Sequence, residues 1–215
     1  MSEIFDCSDE VRHAAGIAAA TATVLRGGLV VLPTDTVYGI GADAFRPTAV
    51  ASLLAAKGRG RETPPPVLIG SIRAANALVE ELGPYGQELI DEFWPGGLTL
   101  VCRANRSLHW DLGETRGTVA IRMPNHPVAL ELLAQTGPMA VSSANLTGAP
   151  PATTAAGAME QLAETVEVYL DGGPCAAEVP STIVDLTGDM PRLLRTGAVP
   201  IGKLREVAAV SVGPA

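Results

Sequence analysis

The sequence lacks the cysteine pattern of a disulfide-stabilised or zinc-binding protein. Its 215 residues contain three cysteines, an odd number without a CxxC pair, at Cys7, Cys102 and Cys175. Paired cysteines stabilise proteins of oxidising compartments, and structural zinc sites need closely spaced thiolate and imidazole ligands. The histidines are also scattered, without a His-x-x-x-His pair, at His13, His109 and His126. These patterns argue against a disulfide framework and a zinc site, and nothing local indicates a Ser–His–Asp triad.

Aromatic residues and positive charge are also scarce. Aromatics make up 4% of the chain and the net charge is −8, which argues against a base-stacking platform or a broad nucleic-acid-binding surface. The few basic residues can still be concentrated in one pocket for a small anion. No apolar run approaches the roughly 20 residues of a membrane span, and the acidic first residues lack a signal-peptide core. The sequence therefore predicts a soluble, cytoplasmic protein without membrane association.

What is present is a regular alternation of helical and strand patterns, with 47% hydrophobic residues. This composition and length suffice to bury a large core. Helices are predicted over 9–26, 47–57, 71–82, 85–94, 126–135, 153–165 and 201–208. Strands are predicted over 29–32, 67–69, 98–103, 118–122, 139–141, 166–170, 182–186 and 192–194. The pattern predicts a single α/β domain over 1–215, with a core from about residue 9 to 207 and a twisted mixed sheet flanked by helices.

In the stretch 29–43, a run of aliphatic residues typical of a buried strand is followed directly by polar residues that could bind a ligand. Four aliphatic residues, 29–32, are typical of a strand that is buried on both faces. Pro33 ends that strand, and the polar residues Thr34, Asp35 and Thr36 follow it. Such a position suits a ligand-facing site in an α/β sheet, but Thr and Asp are equally common in ordinary turns.

Two further polar clusters stand out, although the G-x-x-x-x-G-K-[ST] loop and the G-x-G-x-x-G fingerprint are both absent. Lys57, Arg59 and Arg61 occupy a glycine-rich loop that could grip phosphate oxygens or could be a solvated basic turn. The stretch 142–145, Ser-Ser-Ala-Asn, could bind phosphate or ribose or could only form a turn. Arginines at the predicted ends of two strands, Arg122 and Arg195, could converge on an anion.

Taken in order, these pieces resemble the YrdC-like family of threonylcarbamoyl-AMP synthases. The matching motifs are Pro-Thr-Asp-Thr-Val-Tyr-Gly at 33–39, Lys-x-Arg at 57–59, Trp-Pro-Gly-Gly-Leu-Thr at 94–99, Thr-Val-Ala-Ile-Arg at 118–122, Ser-x-Asn at 143–145, Pro-Ser-Thr-Ile-Val-Asp at 180–185 and Leu-Arg-x-Gly at 194–197. Each motif alone is weak, but their shared order is specific. The resemblance implies the single-domain form of the family, since the chain ends at Ala215 without the accessory C-terminal domain of some relatives.

The resemblance also implies a reaction and its partners. Threonine, bicarbonate and ATP with Mg²⁺ would give threonylcarbamoyl-AMP, pyrophosphate and water. The product would supply the threonylcarbamoyladenosine modification of tRNA, and separate tRNA-modifying transferase proteins would complete the transfer. Only weak binding to double-stranded RNA is expected from so acidic a chain.

The resemblance assigns roles to ten residues. ATP contacts are expected from Lys57, Arg59, Thr63, Thr118, Ser143, Asn145 and Arg195. Threonine contacts are expected from Thr36, Arg122 and Ser181. No covalent nucleophile is assigned, because nucleotidyl transfer with pyrophosphate leaving depends on positioning and charge stabilisation. No general base is assigned either, and Asp35, the nearest carboxylate, is interpreted as a turn-forming residue.

Departures from the family pattern affect the expected outer edge of the pocket. Gly60, Arg61 and the run Pro64–Pro66 replace a proline and a Pro-Leu pair, Leu68 lies near a histidine position, and Pro151 lies near a serine position. Two alternatives remain at this point. One is a paralogue of the same fold that binds RNA or has another nucleotide-dependent activity. The other is the carbamoyl-adenylate chemistry of hydrogenase maturation factors, whose chains are much longer and carry cysteine-rich modules.

Overall fold

A computed structural model describes residues 2–175 and 179–212 of the chain. Its helices are α1 (Glu10–Arg26), α2 (Pro47–Lys57), α3 (Ile72–Leu78), α4 (Gly83–Phe93), α5 (Pro127–Thr136), α6 (Ala155–Leu162) and α7 (Ile201–Val207). Its strands are β1 (Glu3–Asp6), β2 (Val30–Leu32), β3 (Gly39–Asp43), β4 (Val67–Leu68), β5 (Leu98–Arg103), β6 (Thr118–Arg122), β7 (Met139–Ser143), β8 (Val168–Asp171), β9 (Thr182–Asp185), β10 (Arg192–Arg195) and β11 (Ser211–Val212). The remaining parts of the predicted 1–215 domain, residues 1, 176–178 and 213–215, lie outside the described residues.

One mixed sheet joins all the described strands, in the order β1-β8-β2-β3-β7-β4-β6-β5-β9-β10-β11. The sheet contains both parallel pairs, such as β5 with β9, and antiparallel pairs, such as β5 with β6. Helices cover the sheet, which confirms the predicted fold class. No helix in the described ranges is long and apolar enough to cross a membrane.

Strand β2 is buried on both faces, as its unbroken aliphatic run predicts. Val30 and Leu32 belong to one apolar cluster, which α1 and α5 cover. Val31 belongs to the cluster on the opposite face, beneath α2 and α6. Consecutive strand residues point to opposite faces, so only a strand between two layers of helices needs apolar residues at every position.

Strand β3 was not predicted, because its glycines mask the strand pattern. Gly39 and Gly41 face β7, where an added Cβ would lie 2.6 Å from Val141 Cγ1 and 2.7 Å from Met139 Cε. The large side chains of β7 therefore fill the space that side chains on β3 would need. The short strands β1 and β11 were not predicted either. The predicted bounds of α2, β5 and β6 are confirmed, and the other predicted elements are present with shifted ends. The longest helix begins as expected, with Asp9 accepting a hydrogen bond from the backbone of Arg12 at 2.8 Å.

The two faces of the sheet differ around β5, β6 and β9. On one face Leu98, Leu100 and Ile121 pack into the apolar cluster that also contains α4 residues. On the other face the alternate residues Thr99 and Thr118 line an open cavity. Helices cover one side, and the other side, which also carries Val101, Ala120 and Ile183, opens to the cavity and positions the candidate site.

Candidate active site

The cavity has a volume of about 480 Å³ and lies over the uncovered face of β5, β6 and β9. That size falls within the ~300–1,000 Å³ of ligand pockets. Eight of the ten residues to which the resemblance assigns roles line it. These are Thr36, Arg59, Thr63, Thr118, Arg122, Ser143, Ser181 and Arg195.

Arg122, at the end of β6, is almost fully buried and is held by three hydrogen bonds. Its Nε donates to the carbonyl of Gly96 at 2.9 Å, and Nη1 donates to Thr36 Oγ1 at 2.9 Å. Its Nη2 donates to Asp35 Oδ1 at 2.6 Å in an ion pair. Asp35 also accepts from the backbone amide of Asn125 at 2.9 Å. The segment between β2 and β3 is therefore joined to β6 through one guanidinium.

The hydrogen bonds of the Thr36 hydroxyl have a defined direction. Thr34 Oγ1 lies 3.0 Å from Thr36 Oγ1 and donates its own proton to the carbonyl of Val37 at 2.6 Å. The Thr36 hydroxyl must therefore donate to Thr34, while it accepts from Arg122. A hydroxyl has one proton and two lone pairs, so the Thr36 oxygen retains one lone pair with which to accept from a ligand.

A second arginine lines the cavity at the end of β10. Arg195 donates from Nε and Nη2 to the carbonyl of Ser181, at 3.0 and 2.7 Å, and from Nη2 to Ser181 Oγ at 3.1 Å. The Ser181 hydroxyl also lies 2.7 Å from Thr99 Oγ1 on β5. Burial, together with the charges of Arg122 and Arg59, lowers the pKa of Arg195. The three guanidiniums therefore act on one another across the cavity.

Arg59 comes from the loop after α2. Its Nη1 donates to Ser142 Oγ, and its Nε donates to Thr147 Oγ1, each at 3.3 Å. These long hydrogen bonds to neutral hydroxyls leave its charge without a carboxylate partner among the described residues. Arginine stays protonated in proteins, so Arg59 presents a fixed positive charge to the cavity.

The structure places Lys57 and Asn145 one layer behind the cavity wall, where sequence reasoning expects direct ATP contacts. The buried Lys57 Nζ donates to the carbonyls of Ser143 and Asn145 and, at 2.9 Å, to Asn145 Oδ1. The amide nitrogen of Asn145 donates to the carbonyls of Leu146 and Ala149, each at 2.8 Å. These bonds hold the chain that presents Ser143 to the cavity, and contact of the two residues with a nucleotide stays a prediction.

The 106–117 segment forms one wall of the cavity, through Leu112 and Thr115. Its polar, irregular sequence suggests a mobile loop, but the structure shows it tethered. Asp111 accepts from both terminal nitrogens of Arg61, at 3.0 and 2.8 Å, and Trp110 stacks on Phe45 with ring centroids 5.4 Å apart. Both tethers join side chains that are distant in sequence, so local composition gives no sign of them.

Several lining residues were not assigned from the sequence. Thr99 and Ser142 supply hydroxyls, and the departures Leu68 and Pro151 supply apolar surface. The alternation of β5 could have indicated Thr99, because it lies two residues from Val101 on the cavity face. Of the departures, Leu68, Pro151 and Pro64–Pro66 line the cavity, whereas Gly60 and Arg61 are not among its lining residues. No Asp or Glu is among the described residues that line the cavity.

The family model for Sua5, YciO and YrdC proteins, described as telomere recombination, matches residues 22–197 of the chain. The chain belongs to the Sua5/YciO/YrdC family. A Mycobacterium leprae protein that is provisionally named a threonylcarbamoyl-AMP synthase is 55% identical over 210 residues, covering 98% of this chain and 96% of that protein. A Bacillus subtilis protein named threonylcarbamoyl-AMP synthase is 37% identical over 201 residues, which cover 92% of this chain and 57% of that protein.

Solved structures of Sua5/YciO/YrdC proteins share the fold. The crystal structure of Pyrococcus abyssi Sua5 complexed with L-threonine superimposes with a TM-score of 0.88 at 34% identity. The superposition covers 98% of this chain and 63% of that protein, so the chain spans less than two thirds of that relative. The family assignment and this superposition confirm the family resemblance of the sequence motifs and the α/β fold that the resemblance implies.

Proposed function

We propose that this chain is a threonylcarbamoyl-AMP synthase, a nucleotidyltransferase that condenses L-threonine, bicarbonate and ATP. The observation that carries the proposal is that one cavity holds two kinds of anion site. The cavity guanidinium of Arg122 is paired with the Asp35 carboxylate and bonded to Thr36, whereas those of Arg59 and Arg195 bond to hydroxyls or a carbonyl and have no carboxylate partner among the described residues. The names of the curated relatives support the same activity.

The Arg122 side of the cavity fits an amino acid. Of the five N–H donors of Arg122, three are used within the described chain, which leaves one on each terminal nitrogen. A carboxylate accepts two such donors in a bidentate pair. The free lone pair of Thr36 beside them can accept from the amine or the hydroxyl of the same ligand. Threonine carries a carboxylate close to an amine and a hydroxyl, which can both donate hydrogen bonds. The related Pyrococcus abyssi Sua5 has been crystallised as a complex with L-threonine.

The Arg59 and Arg195 side fits the phosphates of ATP. The threonine amine and bicarbonate would first form a carbamate with loss of water, and a carbamate oxygen would then attack the α-phosphorus as pyrophosphate leaves. Positive charges that are fixed around the phosphates stabilise the charge that develops in this step. Neither step needs a covalent intermediate on the protein.

Mg²⁺ is proposed to enter with ATP. The described lining residues offer hydroxyl oxygens from Thr and Ser but no carboxylate, so phosphate oxygens and water would supply most of its ligands. The bound ion would neutralise charge on the phosphates. The cavity residues Arg59, Arg195 and Ser143 would contact the nucleotide directly and fix its orientation.

We also propose that the chain acts in the cytoplasm and that separate transferase proteins pass the product to tRNA.

A pyrophosphate-release assay tests the proposal. Protein, MgATP, threonine and bicarbonate are mixed, and release is expected only when both threonine and bicarbonate are present. Arg195→Ala is expected to abolish release. Arg192→Ala, which removes an arginine three residues away on β10 that pairs with Asp185 outside the cavity, should leave it intact. Release that is absent or indifferent to threonine would refute the synthase and favour a same-fold protein with another activity.

A further inference from the structure

We infer that Asp35 is a positioning residue, which orients Arg122 for the carboxylate of the amino-acid substrate. This inference rests on the proposed function for the identity of that substrate. Asp35 lies in the polar turn after β2, and the sequence analysis interprets it as a turn-forming residue and assigns no general base. The contacts of the residue decide between these roles.

Asp35 does not line the cavity, whereas its neighbours Thr34 and Thr36 do. Its carboxylate reaches the substrate region only through Arg122, which it contacts at 2.6 Å. A general base must lie within hydrogen-bonding distance of the proton that it removes, directly or through one water. Asp35 instead contacts the guanidinium without lining the cavity, which suits a residue that fixes the position of another.

The bond network around Asp35 shows how this positioning works. Arg122 is pinned at three separate nitrogens, by the Gly96 carbonyl, by Thr36 and by Asp35. Three anchors determine both the position and the rotation of a planar guanidinium. Asp35 is itself anchored by the backbone amide of Asn125, in the turn that precedes α5. Removal of the Asp35 anchor would leave the Arg122 plane free to turn about the other two contacts.

The pairing also sets the charge of this end of the cavity. The Asp35 and Arg122 side chains are only 18% and 7% exposed, so solvent screens their interaction weakly. The ion pair with Asp35 offsets part of the charge of Arg122, while Arg59 and Arg195 have no carboxylate partner among the described residues. A guanidinium with a partly offset charge and two free N–H groups favours a single carboxylate, and the unpaired arginines favour the more highly charged phosphates. Asp35 thereby keeps phosphate from competing for the amino-acid end.

The test compares Asp35→Asn with Asp185→Asn. The first variant keeps the one oxygen, Oδ1, that accepts from both Arg122 and Asn125, but it loses the charge. The second removes the charge of another arginine-paired aspartate, at the end of β9 and 3.0 Å from Arg192 Nη2, and is expected to behave as wild type. For Asp35→Asn we expect threonine Kd, from calorimetry, and threonine KM to rise about tenfold to a hundredfold, as for a misplaced binding group. The KM for ATP should be unchanged, and inorganic phosphate should inhibit competitively with threonine.

A double-mutant cycle separates positioning from other roles. If Asp35 acts through Arg122, threonine binding by Asp35→Asn/Arg122→Lys should be no weaker than binding by Arg122→Lys alone, because coupled residues are not additive. Asp35→Glu, which keeps the charge but displaces the carboxylate, should show the same selective loss and serves if Asp35→Asn folds poorly. A general base would give another result, a lower kcat with unchanged threonine Kd, and that result would overturn the inference.

The binding readout also distinguishes this inference from the proposed function. If wild-type protein binds threonine but releases no pyrophosphate, the synthase proposal fails, while the comparison of threonine Kd still tests Asp35. If wild-type protein releases pyrophosphate and Asp35→Asn binds threonine normally, only the positioning role fails.

Discussion

The ammonium of Lys57, at the last residue of α2, lies 2.9 Å from Oδ1 of Asn145, 88 residues further along the chain. It also donates to the backbone carbonyls of Ser143 and Asn145. The hydroxyl of Ser143 lines the cavity, so the lysine charge supports the polar corner at the end of β7. Loss of the Lys57 charge should therefore change the position of Ser143 and the affinity of the cavity for ATP.

This relationship predicts a pH dependence of ATP affinity. Burial, followed by the charge of Arg59, lowers the pKa of Lys57 to about 8. Lys57 is therefore protonated below that pH, and the charge is lost as the pH rises through about 8. We expect the Kd for ATP to increase above pH 8. Calorimetry between pH 6.5 and 9.5, a range of ~3 pH units centred on the Lys57 pKa, measures this change. Lys57→Arg should flatten the profile, since guanidinium stays charged, and the exposed substitution Lys203→Arg should not. If the Kd for ATP of the wild-type protein does not change with pH, the role of the Lys57 charge in ATP binding is contradicted.

Arg59 and Arg122 are predicted to serve different ligands. Arg59→Ala should raise the Kd for ATP about tenfold or more, the usual cost of a lost bond to a charged group, with little effect on threonine. Arg122→Lys should weaken threonine instead, because an ammonium cannot form the bidentate pair. Separate calorimetric titrations with MgATP and threonine measure both effects. Equal losses of both ligands in both variants would remove the distinction between the two ends of the cavity.

Gly97 is predicted to be essential for the packing beneath the site. A Cβ at this position would lie 2.7 Å from Ala198 Cβ and 3.4 Å from Thr36 Cγ2. Because neither neighbour is a flexible side chain, Gly97→Ala should destabilise the protein by about 1–3 kcal/mol, the typical cost of overpacking. Gly188→Ala is the matched control, since its Cβ would meet nothing within 4 Å. Urea unfolding curves with the same midpoint for both variants would refute this prediction.

The tether between Arg61 and Asp111 is predicted to hold the cavity wall rather than to stabilise the fold. The pair is exposed, so Asp111→Ala should cost no more than about 1 kcal/mol of unfolding free energy. Amide hydrogen exchange should nevertheless accelerate over residues 111–117, because the backbone amide of Glu114 donates to the carbonyl of Arg61 at 2.7 Å and loses support when the Arg61–Asp111 pair is removed. Glu206→Ala, which breaks the exposed pair with Lys203, should leave this exchange unchanged. Unchanged exchange in Asp111→Ala would contradict this prediction, because the Trp110–Phe45 stack and the bond from Glu114 to Arg61 would then suffice.

The sequence alone predicts those features that depend on near neighbours. Apolar spacing and the Asp9 cap predict α1, and the aliphatic run 29–32 predicts a strand that is buried on both faces. The strand β3 escaped prediction because its glycines are required by Val141 and Met139, which lie about 100 residues away. The residues of one strand do not show which positions must be glycine because side chains of a distant strand fill the space beside them.

The candidate site divides in the same way. The ordered motifs assign the ten site residues without any coordinates, because residue types and their order suffice for a family resemblance. Only the tertiary structure places Arg59, Arg122 and Arg195 around one cavity and sets Lys57 and Asn145 behind its wall. Only the structure, too, shows that Asp35 faces Arg122 and that Thr36 is left as an acceptor. Hydrogen-bond polarity and burial depend on groups that folding brings together from distant positions, and these decided what the polar turn after β2 can do.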